Sequence, residues 1–223
     1  MKVAALILTV FLAAVSAAGQ VTASQATEIS HGQYYASWRA ASEKARGLNR
    51  RHVSRTEVYK DGKVAETDEW LYEYVLPDKI RYVHTDSIDG KPVRTEQIDI
   101  GANKYCKKGE GAWESVKSGC IGGGTGGAVP NTSSLRFTIE KVNVDGKELT
   151  LYSQYITYKN ISSKTKDTEG LSYYEEKYWL NKDGLLLRQE HRNGLIDPKT
   201  LDRSTVDTYE YNPKDLKIEA PIK

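Results

Sequence analysis

The sequence predicts a mainly β protein with one helix: a curled, unclosed antiparallel β-barrel of about ten or eleven strands, lidded by an N-terminal amphipathic helix. Three observations predict it. Asp-Gly recurs at Asp61-Gly62, Asp89-Gly90, Asp145-Gly146 and Asp183-Gly184, each between β-branched or aromatic runs. That pair permits the positive φ angles of a tight hairpin turn. The runs alternate, with one aromatic or apolar face and one largely charged face. Only one stretch carries a helical period.

That stretch follows a leader. Met1-Lys2 is basic, Val3 to Val15 is apolar except for Thr9, and Ser16-Ala17-Ala18-Gly19 is small. This is the pattern of a cleaved secretory signal peptide over 1–18, too short for a bilayer span. No cysteine lies near the cleavage point to take a lipid anchor. The expected location is therefore periplasmic or secreted. Residues 19–29 are small and polar and read as a flexible lead-in. Ser30-x-x-Gln33 is a capping box, and Tyr34, Trp38, Ala41, Ala45 and Leu48 follow at helical steps. The spacing predicts a helix over 31–47, with Tyr34, Trp38, Ala41 and Leu48 packing it over the sheet.

Strands are expected over 53–59, 64–75, 80–88, 93–100, 135–144, 149–158, 173–180, 185–191 and 205–211, with a shorter hairpin between Tyr105 and Trp113. Alternation assigns Trp70, Tyr72, Tyr74, Ile80, Tyr82, Ile98, Ile100, Tyr178, Leu180, Leu185 and Leu187 to the inner face. The Gly-rich run 119–130 lacks the ending of a phosphate loop and reads as a linker or flap. Cys106 and Cys120, the only cysteines, are expected to form a disulfide in an exported chain. Asn131-Thr132-Ser133 and Asn160-Ile161-Ser162 are glycosylation sequons, used only in a eukaryotic host.

Composition narrows the function. Lys plus Arg total 32 and Asp plus Glu 30, a balance that gives no reason to expect a nucleic-acid partner. His31, His52, His84 and His191 form no metal motif and read as surface residues, so no metal or cofactor is expected. Gly-x-Ser-x-Gly is absent, and the adjacent carboxylates Asp68-Glu69 and Glu175-Glu176 point to opposite strand faces. The chain reads as a binding protein rather than an enzyme. Fifteen Tyr and four Trp dominate its aromatic content. Lining an interior, they would pack it, hold an apolar ligand or stack on a sugar.

The leader, single helix and long hairpins resemble the periplasmic lipoprotein-carrier superfamily, LolA/LolB-like and including the LppX/LprG-type lipid carriers. Three segments carry the likeness. Residues 73–82, Glu-Tyr-Val-Leu-Pro-Asp-Lys-Ile-Arg-Tyr, resemble the family's strand–turn–strand around a Pro. Residues 178–188 are similar to its late hairpin, and Leu216-Lys217-Ile218-Glu219-Ala220-Pro221 to its Ile-x-x-Pro endings. Leu76 stands where a basic residue is usual before Pro77, and the Gly-rich run replaces the mid-chain helical insert. The resemblance covers residues 30–221 and implies one half-barrel domain. It implies further that lipid or lipoprotein acyl chains are held beneath a helical lid and exchanged with membrane transfer proteins. A carbohydrate-binding or sensory module is the alternative.

Overall fold

The computed structural model describes residues 25–88, 91–121, 132–159, 171–196 and 199–222. The leader, both sequons' asparagines and most of the Gly-rich run lie outside them. Thirteen elements follow in order: β1 (Thr27–Glu28), α1 (His31–Arg46), β2 (Arg50–Lys60), β3 (Lys63–Val75), β4 (Lys79–Ile88), β5 (Lys91–Ile100), β6 (Asn103–Lys108), β7 (Glu114–Val116), β8 (Thr132–Val144), β9 (Lys147–Lys159), β10 (Leu171–Leu180), β11 (Leu186–Leu195) and β12 (Arg203–Tyr211). All twelve strands join one antiparallel sheet in the order β1-β8-β9-β10-β11-β12-β2-β3-β4-β5-β6-β7.

The order follows from the turns. Asp61 and Gly62, and again Asp145 and Gly146, all have positive φ, so β2–β3 and β8–β9 are two-residue hairpins. Successive hairpins build one meander from β2 to β7 and a second from β8 to β12. The second returns its last strand to the first strand of the other, pairing Thr205 with Thr56. The ends β1 and β7 do not meet, so the sheet is curled and unclosed, as expected from sequence.

Two elements differ from expectation. Thr27 and Glu28 pair with Ile139 and Thr138 of β8, and Glu28 bonds Arg136 at 2.9 Å, so the lead-in ends in structure. The turn at Asp183-Gly184 is longer than a two-residue hairpin. The Asn181 side chain accepts from the Asp183 and Leu185 backbone N–H groups, drawing Leu185 into the connection. The strand therefore starts at Leu186, which pairs with Leu180 across a bulge.

The helix forms as its sequence dictates. The Ser30 hydroxyl accepts from Gln33 N–H and the Gln33 side chain from Ser30 N–H, closing the capping box. Gly47 ends it, one residue before Leu48. Its Tyr34 and Ala41 pack into the main core with Phe137, Tyr178, Leu180 and Leu186. Tyr178 is fully buried; its hydroxyl donates to Tyr34 O at 2.9 Å and lies 2.8 Å from the Ser37 hydroxyl. A second core of Val142, Leu149 and Leu151, with Trp179 and Leu187 against it, lies on the other face of the sheet. The C-terminal tail also lies on that face: Asp215 pairs with Arg51, Lys79 donates to Ile218 O, and Ile218 is buried.

Candidate functional site

Cross-strand pairing fixes which side chains share the helix face. Tyr152, Tyr178, Gln189, Asp207, Ser54, Trp70 and His84 are consecutive partners across seven strands. The row beginning at Tyr72 continues through Tyr82 and Gln97 to Cys106. The next runs from Tyr74 through Ile80 and Asp99 to Lys104. The face is thus filled under α1 across β8 to β11 and open across β2 to β6.

The open part holds a groove of 610 Å³, lined by Ser54, Thr56, Asp68, Trp70, Tyr72, Tyr82, Gln97, Asp99, Lys104 and Ile121. Its rings stand in a ladder. Trp70 stacks on His84 at 3.9 Å between centroids and on Tyr72 at 5.6 Å; His52 lies 5.0 Å from Tyr72 and 4.4 Å from Tyr209. All four pairs are within 16° of parallel. The faces are turned on one another. Tyr82 meets Tyr72 edge-on at 84°.

The two carboxylates, the amide and the ammonium of the groove are already bonded. Asp68 accepts from Trp70 Nε1 at 3.1 Å and lies 2.6 Å from His84 Nε2. Asp99 accepts from Gln97 Nε2 at 3.0 Å and from Lys104 Nζ at 2.7 Å. Gln97 Oε1 takes the Cys120 and Ile121 backbone N–H groups, holding the segment after β7 against the rim. The Cys106–Cys120 disulfide fastens the same segment. Burial pushes the Tyr72 phenol up to about 12, and raises Tyr82 as well, so both are neutral at ordinary pH.

A smaller cavity of 230 Å³ adjoins it along β2 and β3, between the last turns of α1 and the sheet. Trp38, Ala41, Ser42, Ala45, Arg46, Arg50, His52, Tyr74, Leu186, Gln189, Tyr209 and Tyr211 line it.

The expected inner-face residues therefore scatter. Trp70, Tyr72 and Tyr82 line the groove, Tyr74 lines the smaller cavity, and Ile80 shares their face. Tyr178 and Leu180 are in the filled core. Ile98 and Ile100 are on the opposite face, paired with Arg81 and Lys79, because the β4–β5 pairing sets Gln97 opposite Tyr82. Leu187 is also on the opposite face, beside Trp179, because the bulge gives Leu186 the inward position. Leu185 is half-buried in the connection. Of the residues expected to form the lid, Tyr34 and Ala41 lie in the main core. Trp38 is 41% exposed and borders the small cavity, and Leu48 is half-buried beyond the helix.

The histidines correct a further expectation. His52, His84 and His191 are half-buried on the helix face, with His52 2.8 Å from Asp207 and Tyr174 Oη 2.6 Å from His191 Nδ1. Among the described residues, no three His, Cys, Asp or Glu side chains are arranged to hold a metal, and no helix is long and apolar enough to cross a membrane.

No protein-family model matches the chain, nor does any curated protein. Several solved structures are similar, two of them as follows. One is the crystal structure of the Mycobacterium tuberculosis lipoprotein LppX, with 16% identity and TM-score 0.44, over 84% of this chain and 100% of that one. The other is LprF from Mycobacterium bovis, with 13% identity and TM-score 0.44, over 86% and 99%. Both are likenesses of fold at low identity.

Proposed function

We propose that the chain is an exported binding protein that holds a lipid, or the acyl chain of a lipoprotein, in the helix-face groove and passes it to membrane proteins. The observation that carries this is the groove itself. Its volume of 610 Å³ falls within the usual range for small-molecule sites, about 300–1,000 Å³. Its aromatic wall offers ring edges, and its carboxylates already have partners. A chain without polar groups loses nothing against such a wall and gains about 25 cal/mol for each Å² it buries. A sugar would need free ring faces and unclaimed hydrogen-bonding groups. The stacked ladder leaves few free ring faces, which favours the acyl reading over the carbohydrate alternative.

The test is native mass spectrometry with organic extraction of the protein purified without detergent. About one co-purifying lipid per chain is expected. A clean apo mass, with no later uptake of a fluorescent fatty acid, would refute the proposal. Trp70→Ala should weaken that uptake while leaving the circular dichroism spectrum intact, because it opens the ladder at the groove. Unchanged uptake would remove β3 from the site.

A further inference from the structure

Resting on the lipid-binding reading, we propose that the small cavity beside α1 is a head-group site for an acidic amphiphile, with Arg50 and Arg46 binding its carboxylate or phosphate. The ion pairs point there. Every other half-buried arginine among the described residues has a carboxylate within 4 Å: Arg51 has Glu73, and Arg81 has both Glu73 and Glu96. Arg50 is half-buried and has none. Its guanidinium lies over the Tyr74 ring at 3.9 Å, and one N–H donates to Ala45 O at 3.1 Å. A guanidinium carries five donors in a planar fork that matches a carboxylate or phosphate. Burying it without an anion is costly.

The surroundings agree. Arg46 borders the same cavity, and no aspartate or glutamate does. Two guanidinium charges outweigh the partial negative charge of the helix end, roughly half a charge. The cavity's position also fits a head group. His52 and Tyr74 line it, while Ser54 and Tyr72, two residues further along the strands, line the larger groove. From Arg50 to Thr56 is six residue steps, ~20 Å of strand at about 3.3 Å each. An acyl chain can therefore lie along β2 and β3 with its head at Arg50.

Calorimetric titration of the delipidated full chain with oleate and with monoolein, which share a chain and differ in head group, tests this. Inorganic phosphate alone is the third arm. The wild type should bind oleate about tenfold or more tighter than monoolein, the scale of a charge-assisted pair. Arg50→Gln should erase the preference, so that the two lipids bind alike. Arg46→Gln, at an exposed position that does not bond the helix, should reduce it, and Arg50→Lys should keep part of it. Equal binding of the two lipids by the wild type, or a preference untouched by both glutamine variants, would overturn the head-group site and spare the lipid reading. Binding of neither lipid would overturn both. Phosphate binding as tight as oleate would make this a free-anion site and overturn the amphiphile.

Discussion

Two tyrosines 144 residues apart meet under the helix, and their hydroxyls have opposite fates. Tyr178 donates to Tyr34 O, whereas the Tyr34 hydroxyl is buried with no hydrogen-bond partner among the described residues. Burial, reinforced by the Glu176 carboxylate, keeps that phenol protonated far above the ordinary tyrosine range. An unmade hydrogen bond costs more than a made one gains. Tyr178→Phe should therefore lower unfolding free energy by about 1–2 kcal/mol. Tyr34→Phe should be neutral or stabilising. Urea denaturation of the two variants side by side checks the contrast, and equal losses would place a partner on Tyr34.

At the scale of elements, the segment after β7 is held to the groove rim by one disulfide and one glutamine. The bridge closes a separation of 14 residues, for which chain entropy gives about 3 kcal/mol. Cys106→Ser with Cys120→Ser should lower stability by roughly that amount and expose the rim at Ile121 to limited proteolysis. A cleavage pattern identical to wild type would mean that Gln97 alone holds the segment. Elements were also where sequence was most legible. The capping box, the helix and the two-residue hairpins follow from local chemistry, which is short-ranged and written in adjacent residues, and the disulfide follows from there being only two cysteines. Facing was harder. Ile98 and Ile100 look like cavity residues because they are apolar, yet the opposite face has an interior of its own beneath the C-terminal tail. The signal that would have corrected this lies in the turn. With Ile88 paired to Lys91, Tyr82 falls opposite Gln97, not Ile98. The ladder's histidines were missed for a different reason. They are paired by cross-strand and diagonal contacts that no single-strand pattern records.

At the scale of the whole molecule, tyrosines share the interior with the aliphatic residues, and that gives stability an alkaline limit. Burial raises Tyr34, Tyr72, Tyr82, Tyr173, Tyr174, Tyr178, Tyr209 and Tyr211, with Tyr72 reaching about 12. A pKa raised by folding means that the unfolded chain loses its proton first. Stability is then complete below about pH 10, the unfolded tyrosine value, and falls as pH rises through the folded values. Melting temperature followed from pH 8 to beyond 11 should drop steeply above about 10. Absorbance of ionised tyrosine should appear with unfolding rather than before it. Tyrosinate forming in a chain that stays folded would contradict this.

The junction of β12 with β2 sets the order of events in a chain delivered N-terminus first, whether by a ribosome or through an export channel. Until residues 203–211 arrive, β2 is a bare, eleven-residue edge at what will become the middle of the sheet. Such edges recruit other chains. The last strand made is the one that retires this hazard, so a chain cut short before β12 is a seed for aggregation rather than a smaller version of the same fold.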